Sequence, residues 1–290
     1  MTDGFLNVLK PPGMSSHDIV GAVRKILGIK KVGHAGTLDP GAAGVLHVAV
    51  GKATRLVEYL SSVDKSYRAE LAFGIATDSG DVGGKVIARA EAFMQPSEEE
   101  LQAALRQLTG EITQVPPVYS AIKIKGQRAC DLMRQNIAVE IPERQVHIYR
   151  FALLARRENS LLLDVDCSKG TYIRTLCTDL GNILGIPAAM SFLVRTRVGD
   201  FRLEESYTLE ELKEAGCAAL VVPEEQLSHI VRYELAEHRA RAFCNGLATH
   251  DRTPGRPGGL LRVFSQGIFL GIGRYDAKEQ AVVPEKVFAN

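Results

Sequence analysis

Twelve residues, Gly33-His34-Ala35-Gly36-Thr37-Leu38-Asp39-Pro40-Gly41-Ala42-Ala43-Gly44, run directly into the apolar stretch Val45-Leu46-His47-Val48-Ala49-Val50. A short apolar, β-rich run bounded by turn residues reads as a buried strand. Any fold for this chain must therefore bring a tight, glycine-rich loop onto the end of a core strand. That loop carries one carboxylate, Asp39. Pro40 biases Asp39 towards an extended backbone, and the glycines allow positive φ or close approach by another group. Asp-Pro-Gly is also ordinary turn chemistry, so at this level Asp39 is either a surface-turn residue or a mounted functional group.

The neighbouring segments give a mixed pattern. Phe5–Leu9 is a short strand ending at the breaker Lys10-Pro11-Pro12-Gly13. Ser15 or Ser16 can cap a helix over Asp18–Leu27, closed by Gly28. Lys52–Leu60 reads as a short helix. Lys65–Phe73 alternates, with Tyr67, Ala69, Leu71 and Phe73 on one face. Ser97/Glu100 and Thr208/Glu211 form capping boxes. Tyr119–Lys125 reads as a strand, Arg128–Gln135 as a short basic helix, and Gly170–Leu184 as a helix between the strands Leu161–Cys167 and Met190–Val198. Beyond Val222-Pro223 the chain turns to short strands between glycine and proline clusters, which reads as a small all-β module. Strands and helices do not alternate as βα repeats. The expected class is α+β: a mixed, mostly antiparallel sheet with flanking helices over 1–222, and a small C-terminal β module over 223–290.

Charge and motifs narrow the function classes. The formal net charge is only +1, but it is unevenly spread. From Ala121 to Arg157 eight Lys/Arg face three Asp/Glu, and from Arg202 to Gln226 two face seven. Such asymmetry suits either a polyanionic partner or an ordinary solvated surface. No apolar run is long enough to span a membrane, and Met1–Lys10 has no signal-peptide core. The five cysteines are scattered, without a C-x-x-C pair, which disfavours a disulfide framework or a zinc site and suits a reducing cytoplasm. There is no phosphate-binding glycine loop, G-x-S-x-G or H-E-x-x-H, and no histidine spacing for a metal, so neither metal nor cofactor is expected.

Two further stretches stand out. In Cys167-Ser168-Lys169-Gly170-Thr171-Tyr172-Ile173-Arg174, a strand ends and Arg174 falls in the first turn of the following helix. A cation there opposes the helix dipole, so it is either a chance surface arginine or one committed to an anion. If it met Asp39, it would keep that carboxylate ionised and aimed. Tyr67 is either a core tyrosine or a ring that stacks on a planar substrate.

In order along the chain, several pieces resemble the bacterial tRNA pseudouridine synthase B (TruB) family. They are Lys10-Pro11-x-Gly13-x-Ser15-Ser16, His34-x-Gly36-x-Leu38-Asp39-Pro40-x-Ala42-x-Gly44, Lys65-x-Tyr67-Arg68 and Thr77-Asp78-Ser79-Gly80-Asp81. Pro116-Pro117-x-Tyr119-Ser120-Ala121-x-Lys123, Cys167-Ser168-x-Gly170-Thr171-Tyr172-Ile173-Arg174 and Leu193-x-Arg195-Thr196-x-Val198-Gly199 complete the set. The resemblance covers nearly all of the first 215 residues. It implies a cofactor-free isomerase that converts uridine 55, in the T loop of tRNA, to pseudouridine. By the match, Asp39 is the catalytic nucleophile, attacking C1′ or C6 or assisting an elimination. Arg174 pairs with it, and Tyr67 stacks on the base and takes the C5 proton. Leu193 packs the base pocket, His34 lies where flipped nucleotides leave the loop, and Lys10 is a further substrate-binding residue.

The glycines of the Asp39 loop are expected to leave room for the extruded nucleotide. The resemblance makes the basic segment, about 115–145, an inserted thumb over the T loop, with Lys123, Lys125, Arg128 and Arg134 as phosphate contacts. Cys130 and Met133 stand where the family commonly has tyrosine and alanine. The C-terminal module resembles a PUA-type RNA-binding domain in location, size and strand content. The T stem-loop of tRNA is then the expected partner, with no membrane and no obligatory protein partner. An RNA-binding or tRNA-folding protein on the same scaffold, or a uridine isomerase acting on another RNA, are the alternatives.

Overall fold

The computed structural model describes residues 2–60, 63–120, 122–124, 127–128, 141–250 and 259–289. In chain order the elements are β1 (Gly4–Lys10), α1 (Ser16–Leu27), β2 (Val32–Ala35), β3 (Ala43–Val50), α2 (Val57–Leu60) and β4 (Lys65–Phe73). Then come the hairpin β5 (Ile75–Thr77) and β6 (Val86–Arg89), α3 (Glu98–Gln107), β7 (Gly110–Gln114), the pair β8 (Lys123–Ile124) and β9 (Gln127–Arg128), β10 (Arg144–Arg156) and β11 (Ser160–Cys167). The elements of the first part end with α4 (Ile173–Ile183), β12 (Ala188–Val198), β13 (Phe201–Arg202) and α5 (Leu209–Ala215). The C-terminal part holds β14 (Val231–Glu234), α6 (Glu237–Cys244), β15 (Thr249–His250), β16 (Gly259–Ser265), β17 (Ile268–Asp276) and β18 (Ala281–Val287).

Local signals set many of these boundaries. Ser15 caps α1 with Asp18 in a reciprocal capping box, and Gly28 closes the helix with φ at +66°. Ser97/Glu100 and Thr208/Glu211 make the expected boxes on α3 and α5. Each such cap contributes about 0.5–2 kcal/mol. The Lys52–Leu60 helix is a 3-10 turn over Gly51–Leu56 that continues as α2.

Among the described residues, nine strands form one sheet in the order β1-β3-β12-β4-β11-β10-β7, with β2 on β3 and β13 on β12. All its pairings are antiparallel except β3 with β12, a parallel seam through Ala43–Val194 and Gly44–Arg195. The sheet is therefore mixed and mostly antiparallel. Side chains alternate across a strand, and β3 shows the consequence. Val45 and Ala49 enter one apolar cluster with Phe5, Phe201 and Phe264, while Leu46, Val48 and Val50 enter another under α1 and α5. A third cluster, the largest, lies between β4, β10, β11, β12 and the helices α3 and α4. The outer face of β4 is polar, with Arg68 paired to Asp164 at 2.9 Å.

The C-terminal part forms a five-stranded sheet, β14-β16-β17-β18-β15. It is not all β: α6 packs Phe243 into that sheet's own core, and its other residues are polar enough to hide the helical pattern. Phe264, Phe269 and Ile272 cross into the cluster shared with β1 and β3. Polar ties run beside them: Lys286 to Glu58 at 3.1 Å, Tyr59 to Glu285 at 3.2 Å, and Arg55 to the Val287 carbonyl at 3.0 Å.

Candidate active site

The Asp39 loop is braced from four sides. The Ser16 hydroxyl accepts from the Leu38 N–H at 2.9 Å and donates to the Leu38 carbonyl at 3.1 Å. The Gly13 N–H donates to the Pro40 carbonyl, and the Ala42 N–H to that of Asp39. Lys10 is fully buried, and its ammonium donates to the carbonyls of Pro11, Pro40 and Ala42. Arg195, also buried, donates to the carbonyls of Gly36, Thr37 and Val45. These cations meet the loop's inward carbonyls, that of Pro40 accepting from both Lys10 and the Gly13 N–H. The placement corrects the reading of Lys10 as a substrate-binding residue: its charge is spent inside the loop. Burial lowers the Lys10 pKa, and the neighbouring Asp39 charge works against that shift.

The loop glycines also differ from expectation. Gly44, at φ +112°, lies against the backbone of Arg195 across the parallel seam, and Gly36 stands beside the Arg195 guanidinium. Gly41 faces open space and lines the cleft. Close strand packing, more than room for a nucleotide, explains the glycine at position 44.

With the backbone fixed, the Asp39 carboxylate reaches outward and keeps 44% side-chain exposure. Arg174, on the first turn of α4 and only 7% exposed, sets its Nε 3.1 Å from Asp39 Oδ2. The rest of that guanidinium is also committed. Nη1 lies 3.5 Å from Asp81 Oδ2 and donates to the Ser79 carbonyl, and Nη2 donates to the Tyr119 carbonyl at 2.9 Å. α4 begins at Ile173, later than the sequence pattern suggests, because Tyr172 at its N-cap stays extended. Asp81 was not legible as a partner. Its turn is fastened to β12 by hydrogen bonds between Val82 N–H and the Met190 carbonyl and between Met190 N–H and the Gly80 carbonyl.

Two cavities meet at this pair. A cleft of about 700 Å³ is lined by Asp39, Gly41, Asp81, Tyr119, Arg174 and Leu193, among others. A smaller recess of about 110 Å³ is lined by Leu38, Asp39, Tyr67, Tyr172, Arg174 and Leu193. Asp39, Arg174 and Leu193 border both. Tyr67 is buried on β4 directly opposite Arg195 on β12. Its pKa is raised, chiefly by burial, while a hydrogen bond from Arg195 pulls the other way. Asp39, Tyr67, Arg174 and Leu193 are thus brought together at the smaller recess.

His34 is not. It sits on the short strand β2, opposite Val48, and lines neither cavity. Burial lowers its pKa. The sequence pattern had placed it in the loop because β2 is too short to show alternation. Lys123 and Arg128 pair with each other on β8 and β9, where a longer strand and a helix were expected. Lys125 and Arg134, with Cys130, Met133 and most of the Arg128–Gln135 segment, lie outside the described residues. Among the described residues no group of three or more His, Cys, Asp or Glu is placed to hold a metal ion. No helix there is long and apolar enough to cross a membrane.

Comparison with known proteins gives the family to which the chain is similar. Residues 24–173 match the model of the TruB family pseudouridylate synthase N-terminal domain. Residues 174–232 match a tRNA pseudouridylate synthase B C-terminal domain, and 232–288 match a pseudouridine synthase II TruB C-terminal region. A tRNA pseudouridine synthase B of Caldanaerobacter subterraneus subsp. tengcongensis is 46% identical over 288 residues, 99% of each chain. That of Moorella thermoacetica is 48% identical over 258 residues, 86% of this chain and 84% of its own. Among solved structures, a crystal structure of a Cbf5-Nop10-Gar1 complex matches with TM-score 0.78 and 28% identity, covering 99% of this chain and 85% of that one.

Proposed function

The chain belongs to the TruB family of pseudouridine synthases, and on that premise we propose that it isomerises uridine 55 in the T loop of tRNA. The observation that carries this reading is the exposed Asp39 carboxylate, held by a buried Arg174 where two cavities meet beside Tyr67. The net reaction breaks N1–C1′, forms C5–C1′, moves a proton from C5 and leaves one on N1. Nothing is oxidised or reduced, so positioned side chains suffice.

Asp39 acts as the nucleophile and must be ionised to do so. Arg174 pairs with that carboxylate and, by using every edge of its guanidinium, fixes its direction. Extruding the uridine costs a few kcal/mol. Stacking on an aromatic ring returns about 1–3 kcal/mol per base, which is the role of Tyr67, standing where the C5 proton leaves. Leu193 packs against the base on the side of β12. Lys123, Lys125, Arg128 and Arg134 grip loop phosphates. Residues 1–222 carry the chemistry, residues 223–290 extend the RNA contact, and the enzyme works in the cytoplasm.

The test is pseudouridine formation in tRNA transcripts by the wild-type chain and by Asp39→Asn. Modification at position 55 that disappears in the variant is the expected result. Activity near wild type in Asp39→Asn overturns the nucleophile. Modification of ribosomal RNA in preference to tRNA overturns the substrate.

A further inference from the structure

Helix α4 carries Arg174, yet it starts without a side-chain cap of its own. Tyr172 stands at the N-cap position and makes no side-chain capping bond. Its backbone is held instead from β7. Gln114, the last residue of that strand and 1% exposed, accepts from the Tyr172 N–H through Oε1 at 3.0 Å. Its Nε2 donates to the Tyr172 carbonyl at 3.3 Å, beside the helix's first internal bond from the Leu176 N–H. The cross-strand neighbour of Gln114 is Arg144 on β10. Its guanidinium carbon lies 5.4 Å from the centre of the Tyr172 ring, and it donates to the Gly170 carbonyl. Two more contacts follow from the same strand end: Thr175 Oγ1 donates to the Val115 carbonyl, and Arg174 Nη2 to that of Tyr119.

We propose that Gln114 and Arg144 form a clamp on Tyr172 that positions Arg174 against Asp39. The role rests on the functional reading above. Neither residue lines either cavity, so both act through another residue and are positioning residues. A two-point amide-to-peptide contact removes the rotation about Tyr172 that a single bond would leave. Tyr172 and Ile173 also form a wall of the smaller recess, so the clamp sets that wall and the arginine together. Misplacement by about 1 Å far from the chemistry can cost about 100-fold in rate.

The experiment uses Gln114→Ala, Gln114→Glu and, as a matched control, Gln145→Ala. Gln145 makes a side-chain bond to Thr113 on the same strand pair without touching Tyr172. Kinetics on tRNA transcripts and the ¹⁵N NMR signal of the Arg174 Nε–H are both measured. Gln114→Ala is expected to lower kcat at least about tenfold, with KM within about threefold, and to displace the Arg174 signal. Gln145→Ala should match wild type in both. In Gln114→Glu a neutral carboxyl can donate and accept as the amide does, whereas the ionised form only accepts. Its activity relative to wild type should therefore rise as pH is lowered, while that of Gln114→Ala stays flat.

An unchanged kcat, a rise in KM alone, or an unmoved Arg174 signal overturns the clamp. If Gln114→Ala fails to fold, Gln114→Glu carries the same readouts. If the wild-type chain makes no pseudouridine, the functional reading fails, while the Arg174 signal still decides whether Gln114 positions that side chain.

Discussion

Adding one methyl group at Gly44 tests how the site is held together. A Cβ there would lie 2.7 Å from the Arg195 backbone nitrogen, 2.9 Å from its carbonyl carbon and closer still to its carbonyl oxygen. None of these is the free end of a side chain, so the parallel seam between β3 and β12 must open. Overpacking of this kind costs about 1–3 kcal/mol. The φ of +112° adds about 1–2 kcal/mol for a residue with a side chain. Reduced freedom of the unfolded chain returns about 0.4–1 kcal/mol. The net loss for Gly44→Ala is about 1–4.6 kcal/mol, a sizeable share of a total stability of about 5–15 kcal/mol.

Gly41→Ala is the control, because its added Cβ meets nothing within 4 Å and its φ is not in the left-handed range. Its stability should stay within about 0.5 kcal/mol of wild type. Urea unfolding measures both. The seam joins the strand that follows Asp39 to the strand bearing Leu193 and Arg195, so folded Gly44→Ala should also have a reduced kcat. A Gly44→Ala protein as stable as wild type would refute the close-packing account, as would a Gly41→Ala protein that is the more damaged of the two.

Three other outcomes are expected. Arg174→Lys keeps the charge but cannot span Asp39, Asp81 and two carbonyls at once, so activity should fall about 100- to 1,000-fold with RNA affinity little changed in a filter-binding assay. His47 is buried on β3 with neither ring nitrogen bonded, and burial pushes its pKa down to about 3. The unfolded chain then binds the extra proton, so this contribution is present above about pH 6.5 and is lost progressively down to about pH 3. That amounts to about 2 kcal/mol between pH 7 and 5, and urea titrations at the two pH values should show His47→Leu free of that share. Finally, T stem-loop binding should weaken linearly on a log–log plot against salt. Lys123→Gln should reduce that slope by about 0.7–1 if its ammonium meets a phosphate; an unchanged slope removes Lys123 from the contact set.

Features fixed by neighbours in sequence were legible. The Ser97 and Thr208 boxes close within three residues, and the alternation of Lys65–Phe73 reports one buried face directly. The Asp39–Arg174 contact spans the chain; the residue pattern offered it only as a conditional pairing, and the family resemblance implied it. Asp81 was legible only as part of a turn motif and Gln114 went unnoticed, because their partners, Arg174 and Tyr172, are far away in sequence. Lys10 was read as substrate-binding by the family match alone, because nothing in its local sequence reports burial. Its burial depends on the carbonyls of Pro40 and Ala42, which only the fold brings near.

The apolar cluster shared by the two sheets bears on inheritance. Phe264, Phe269 and Ile272 share their packing with Phe5, Val45 and Leu56, so neither set can drift alone. A chimera that joins the C-terminal region of one relative to the catalytic sheet of another should fold poorly unless both sides of that cluster travel together. Aligned relatives should show these six positions changing in concert, and the ion-paired Glu58 and Lys286 should change together as well.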